Sequence, residues 1–181
     1  MDNKLTKWFY LQPFLFTRES LHLLDISRRL NENHATVRKY LNEFAKEGFL
    51  KIGQKGRLTL YEVNFDFPLA ISYLTIAEKE FLLFKCSQNR ILKEIVSELQ
   101  KESSKQLMIF GSSVDNFSKS GDLDIVCLEN INFKELEKKY NKNVHNLKVS
   151  SLEEIKEALK KEILKKHIII NGVEEVVKWL I

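Results

Sequence analysis

Two short apolar runs, Leu107 to Phe110 and Leu123 with Ile125, Val126, Cys127 and Leu128, are separated by a polar connection that opens at Gly111-Ser112. Runs of this length bounded by Gly and Ser read as two buried strands, which puts the connection between them at the rim of a sheet. Asp122 and Asp124 stand two apart at the head of the second run, so on a strand both carboxylates point to one face. Gly111 lets the backbone approach a ligand closely, and the Ser112 hydroxyl with adjacent amides, Ser113 included, can donate to phosphate oxygens. Two hard oxygen donors a few ångströms apart suit Mg2+, or Mn2+, with water and ligand phosphates completing the shell. A cation held there would neutralise a nucleoside triphosphate and orient it. Taken singly, Asp-x-Asp is common on solvated strand ends and Gly-Ser is an ordinary turn. Here they follow one another with nine residues between Ser112 and Asp122, and apolar strands lie on both sides.

In that order and spacing they resemble the signature of the DNA polymerase β nucleotidyltransferase superfamily, in particular its minimal nucleotidyltransferase branch. The resemblance runs from about Asn89 to the C-terminus. It implies a nucleotidyltransferase-like mixed sheet flanked by helices, with Gly111, Ser112 and Ser113 on the triphosphate. Asp122 and Asp124 would be the metal ligands and the catalytic residues. The implied cofactors are Mg2+ (or Mn2+) and an NTP, ATP first among them, and the implied reaction is transfer of a nucleotide monophosphate to a hydroxyl. The acceptor would be nucleic acid or a protein, a toxin partner included. Two departures accompany it. The family's small residue and arginine after Gly-Ser are replaced by Val114 and Asp115, leaving Lys119 as the local cation. The strand expected to carry a third carboxylate, residues 143–149, has no acid, and His145 or Asn146 stands near that place. His145 reads as an ordinary strand residue.

The remainder of this half reads as a compact α/β unit. Ile91, Ile95, Val96 and Leu99 recur at helical spacing over residues 90–100. Asn132 with Glu135, and Ser151 with Glu154, have capping-box spacing, which predicts helices through Tyr140 and from Leu152 to about Lys166. Residues 167–170 form an apolar run ended by Asn171-Gly172, and a last amphipathic segment follows. Lysines 156, 160, 161, 165 and 166, interleaved with glutamates, read as a solvated helix face.

The N-terminal third has a different pattern. Leu23, Leu24, Ile26 and Leu30 predict a helix over residues 21–30; after a polar turn, Val37, Leu41 and Phe44 predict a second over 34–47, with Asn33 as N-cap and Gly48 as stop. Alternating residues 49–54 and 57–64, joined at Lys55-Gly56, predict a basic hairpin. The order resembles the winged helix-turn-helix family of DNA-binding domains. That resemblance places the second helix in the major groove with Thr36, Arg38, Lys39 and Asn42 toward bases and phosphates, and Lys55 and Arg57 of the wing on the backbone. A winged helix used for protein contact or dimerisation stays open beside it. Trp8, Phe9, Tyr10, Phe14 and Phe16 make residues 4–16 read as a first helix plus a dimer or domain-packing surface.

The resulting expectation is a two-domain α/β (α+β) chain: a winged helix-turn-helix over 1–66, a connecting helix over 67–88 opened by Thr75 and Glu78, and a nucleotidyltransferase-like domain over 89–181. Residues 1–66 hold 11 basic and 8 acidic side chains and the rest 18 and 17, so only the first part leans basic. Cys86 and Cys127 are isolated, which implies neither a disulfide framework nor a zinc site. Without a signal peptide or an apolar run near 18 residues, a cytoplasmic protein with no membrane partner is expected. Two readings follow. The first is a nucleotidyltransferase that also binds double-stranded DNA. The second is a DNA-binding transcriptional regulator whose C-terminal domain is catalytically inactive or only senses nucleotide. A pure interaction module is the third class, and a homodimer is the usual partner of a helix-turn-helix on a palindrome.

Overall fold

A computed structural model describes residues 6–115, 117 and 120–181. The chain divides into two units, between Glu80 and Phe81.

In the first unit a 3-10 turn, Lys7–Leu11, runs into α1 (Gln12–Leu15), and β1 (Leu21–His22), α2 (Leu23–Leu30), α3 (His34–Lys46), β2 (Leu50–Lys55) and β3 (Leu58–Val63) follow. Sequence chemistry sets these boundaries. Asn31 adopts a left-handed conformation (φ 53°) that ends α2, and the Asn33 side chain accepts from the Ala35 amide at 2.8 Å, so α3 begins at His34. Gly48, at φ 90°, turns the chain out of α3 into β2. The hairpin closes through Gly56-Arg57, and Gly56 supplies the positive φ of 63° that a two-residue turn requires at its first position. The antiparallel sheet has the order β1-β3-β2. This is a helix-turn-helix followed by a hairpin wing.

Two expectations for this unit change. The helix predicted over 21–30 loses its first two residues to β1, where Leu21 faces Tyr61 and His22 faces Leu60. The His22 ring then caps α2 by accepting from the Leu24 amide. Of the opening aromatics, Phe9, Tyr10 and Phe14 join the core of the unit, while Trp8 and Phe16 are half-buried. Phe9, Tyr10, Phe14 and Leu15 are buried with Ile26, Val37, Leu41 and Phe44, Trp8 lies 5.6 Å from Phe44 between ring centroids, and Tyr10 stacks on Tyr40 at 4.2 Å. Two short helices and a hairpin bury too little apolar area alone, and this segment covers the face they leave open. Lys4 lies outside the described residues.

Helix α4 (Ala70–Gln88) contains the division between the units. It starts five residues before Thr75, which leaves the expected Thr75 and Glu78 cap inside the helix; the turn before it is built by Asn64, whose amide donates to the Gly48 carbonyl.

The second unit comprises α5 (Arg90–Glu102), β4 (Leu107–Phe110), a 3-10 turn (Gly111–Val114), β5 (Asp122–Cys127), α6 (Lys134–Tyr140), β6 (Asn143–Lys148), a 3-10 turn (Leu152–Glu154), α7 (Glu157–Lys165), β7 (His167–Asn171) and α8 (Val173–Leu180). Its mixed sheet has the order β6-β5-β4-β7: β5 and β6 are parallel, and the other pairs antiparallel. β4, β5 and β7 are apolar and buried beyond their rim residues, with Ile95 and Leu99 of α5 and Val176, Val177 and Leu180 of α8 completing the core. The helix predicted from Leu152 to about Lys166 is interrupted: Ile155 is extended (ψ 121°) and buried, so the apolar side chain goes inward at the cost of one continuous helix. Among the described residues the fold is a mixed α+β arrangement of eight α-helices and two sheets. No helix among them is long and apolar enough to cross a membrane.

Candidate functional site

The rim of the second sheet gathers the residues singled out between the two apolar strands. Phe110 ends β4 opposite Asp124 of β5 on one side and His167 of β7 on the other. At the next residue the chain turns, with Gly111 at φ 77°. A Cβ there would lie 2.8 Å from Asp124 Oδ2, so the turn and the carboxylate share space that only glycine leaves. Ser112 is exposed, whereas Ser113 is buried and donates its hydroxyl to the Phe110 carbonyl at 3.2 Å. Ser112 is the hydroxyl presented to solvent, and Ser113 braces the turn.

Asp122 is exposed and Asp124 half-buried, on one face of β5 as their spacing requires. The parallel neighbour β6 puts Asn143 beside Asp122 and His145 beside Asp124. Asn143 Nδ2 donates to Asp122 Oδ1 at 3.2 Å and lies 3.0 Å from His145 Nε2; His145 Nδ1 lies 3.2 Å from Asp124 Oδ1. Since the Asn143 amide nitrogen is a donor, His145 Nε2 accepts and the ring proton sits on Nδ1, donating to Asp124. His145 is thus tied to a site carboxylate and is more than the ordinary strand residue expected of it. No carboxylate occupies the corresponding place, and among the described residues no three His, Cys, Asp or Glu side chains converge to share a metal ion. Asp122 and Asp124 offer two oxygen donors to a hard cation, whose remaining positions would fall to water and ligand.

Three lysines at this rim had no readable signal in their spacing. The Lys142 ammonium is buried and donates to the carbonyls of Phe117 (2.7 Å) and Ser120, and burial pushes its pKa down. It pins the connection just ahead of Asp122. Lys85 donates to the Val114 carbonyl at 2.8 Å, with a pKa lowered by burial against the opposing pull of Asp115. Lys166, grouped by sequence with a solvated helix face, instead follows α7, accepts from the Gly111 amide through its carbonyl at 3.3 Å, and pairs its ammonium with Asp115. The solvated-face reading fits Lys161 and Lys165, which pair with Glu157 and Glu162. Lys119 lies outside the described residues.

In the first unit, α3 buries Val37, Leu41 and Phe44 and turns Arg38 and Lys39 outward, while Thr36 and Asn42 are half-buried at the margins of that face. Asn42 Oδ1 accepts from the Tyr61 hydroxyl at 2.9 Å, so this side chain ties α3 to β3. Lys55 and Arg57 are exposed at the wing tip. Lys7, Arg28 and Lys51 are paired with Glu47, Asp25 and Asp66, but Arg38, Lys39, Lys55 and Arg57 form no ion pair among the described residues.

No family model matches the chain, and no curated protein matches it. Solved structures similar to it include BpsR of Bordetella bronchiseptica, described by the regulation of its DNA binding by 6-hydroxynicotinic acid, at 20% identity over 55% of this chain and 75% of that one, with a TM-score of 0.36. The adhesin competence repressor AdcR from Streptococcus pyogenes is 20% identical over 55% of this chain and 80% of its own, with a TM-score of 0.34. The zinc-dependent MarR family transcriptional regulator AdcR in its Zn(II)-bound state is 23% identical over 56% and 77%, with a TM-score of 0.29. These findings correct the expected family membership. The structures found are winged-helix transcriptional regulators and not members of the DNA polymerase β nucleotidyltransferase superfamily. The physical counterpart of the correction is the acid-free strand β6, where the resemblance called for a third carboxylate.

Proposed function

We propose that the protein is a DNA-binding transcriptional regulator that contacts duplex DNA through α3 and the wing. The observation that carries this reading is the exposure, without ion pairs among the described residues, of the cations on the outer face of α3 and at the wing tip. Arg38 and Lys39 on the outer face of α3, with Lys55 and Arg57 at the hairpin tip, spend no charge on neighbouring acids, and a polyanion is the partner that uses them. The helix enters the major groove, Arg38 and Lys39 meet phosphates or guanine edges, and Thr36 adds a hydroxyl contact. Asn42 holds the groove helix to the sheet through Tyr61 and has its amide nitrogen left for a base. Two copies related by a two-fold axis read two half-sites.

The test is duplex binding across a salt series. Arg38→Ala and Lys39→Ala are each expected to weaken binding about tenfold and to lower the slope of log affinity against log salt by about one for each phosphate no longer neutralised. Unchanged affinity and slope in both variants would remove α3 from the DNA interface.

A second reading concerns the other unit, and the packing of the Asp124 carboxylate against Gly111 favours it. In this reading the rim takes a Mg2+-bound (or Mn2+-bound) nucleotide as an effector of DNA binding, with ATP the first to try. Asp122 and Asp124 hold the cation, Gly111 and Ser112 border the phosphates, and Ser113 braces the turn beneath them. Equilibrium binding of ATP with and without Mg2+ tests it: Asp124→Asn is expected to abolish the Mg2+-dependent part, and equal binding by the variant would take the cation away from Asp124.

A further inference from the structure

Asp115 stands at the end of the 3-10 turn that follows Gly111, and it is paired there with the ammonium of Lys166. The Gly111 turn is the end of the middle strand of three. Its β5 neighbour brings Asp124 against one side of Gly111, and its β7 neighbour brings Lys166 against the other, through the Gly111 amide to Lys166 carbonyl bond of 3.3 Å. Lys166 meets the turn at both ends, by its main chain at Gly111 and by its ammonium at Asp115. Both charged groups are about half exposed, at 50% for the Lys166 side chain and 57% for Asp115, and a solvated pair of this kind is weak enough to exchange partners. Lys85 is unsuited to the task, because its half-buried ammonium is committed to the Val114 carbonyl.

A cation at this place favours a polyphosphate. Asp122 and Asp124 give the rim two negative charges, one Mg2+ offsets them, and a triphosphate then adds its own charge beside the Asp115 carboxylate. We infer that Lys166 is the phosphate-binding cation of this site and that Asp115 holds it in reserve while the site is empty. On binding, the ammonium leaves Asp115 for a phosphate oxygen. The cation and the metal then grip the ligand from opposite sides of Gly111. This inference rests on the nucleotide reading of the rim and adds to it a specificity: the site selects the polyphosphate, with the base contributing less.

The experiment measures dissociation constants of Mg-ATP, Mg-tripolyphosphate and adenosine for the full chain and for Lys166→Ala, Lys166→Arg and Asp115→Asn, each checked for an unchanged melting temperature without ligand. Lys166→Ala is expected to weaken Mg-ATP and Mg-tripolyphosphate alike, by about tenfold or more as for the removal of a charge-assisted hydrogen bond, and Lys166→Arg to restore most of it. Asp115→Asn is expected to tighten both by about two- to fivefold, the scale of a surface ion pair. If the parent chain binds both polyphosphates and Lys166→Ala binds them equally well, the Lys166 assignment falls and the nucleotide reading stands. If Asp115→Asn gives no gain, the reserve role of Asp115 falls. If the parent chain binds neither polyphosphate with Mg2+ present, both the nucleotide reading and this inference fall.

Discussion

Glu129 illustrates how a single carboxylate organises a loop. It accepts from Ser103 Oγ at 2.7 Å, the Ser104 amide at 2.8 Å and the Lys105 amide at 3.3 Å, and these hydrogen bonds, led by Ser103, hold its pKa below the usual carboxylate range. A folded-state pKa depressed in this way contributes stability that is complete above the unfolded carboxylate pKa of about 4.3 and is lost as pH falls through the lower folded value. Glu129→Gln is therefore expected to lower the melting temperature at neutral pH and to flatten its fall on acidification below about pH 4, relative to the parent chain. A parallel loss in both proteins would show that the loop does not depend on the charge. Asn33 gives a second test at this scale: Asn33→Ala removes the bond to the Ala35 amide at the start of α3 and should cost about 1 kcal/mol in denaturant unfolding. The cap was readable because Asn before an apolar period has one common use. Glu129 was not, since its donors lie about 25 residues away and no local spacing records them.

At the scale of elements, the Gly111 turn carries the strongest constraint. Gly111→Ala would place a methyl 2.8 Å from Asp124 Oδ2 at a φ of 77°, and such left-handed backbone costs a non-glycine residue about 1–3 kcal/mol before the clash is counted. Urea unfolding should record at least about 1 kcal/mol of destabilisation, and a neutral result would mean that the Asp124 carboxylate moves aside without loss. Elements whose ends are marked locally were legible: α3 by Asn33 and Gly48, β4 and β5 by their apolar runs, and β7 by Gly172. Elements set by distant partners were not. β1 exists because β3 has an edge to fill, and α7 starts late because Ile155 finds the core. The candidate rim was partly legible in the same way. Asp122 and Asp124 announce themselves by period two, while His145 reaches it through the register of β6, and Lys142 and Lys166 through the chain just ahead of β6 and β7.

At the scale of the whole molecule, each unit has its own core and its own candidate ligand, and the α4 helix contains the division between them. If the rim ligand is an effector, linkage makes the effect reciprocal: the factor by which Mg-ATP changes the affinity for DNA must equal the factor by which DNA changes the affinity for Mg-ATP. We expect a change of about fivefold or more, measurable by fluorescence anisotropy of a labelled duplex with and without Mg-ATP, and its loss in Asp124→Asn. Equal DNA affinity under both conditions would confine the nucleotide to a role apart from DNA binding. Strand β6 closes one side of the mixed sheet with most of its residues exposed and no strand beyond it among the described residues. An unpaired edge is an invitation to a strand from another copy of the chain. Asn143, His145 and Lys148 line that edge with polar and charged groups, and the first two are also held by Asp122 and Asp124. Polar and charged side chains on an exposed edge disfavour its pairing with a strand from another copy, although Leu147 on the same strand is also exposed.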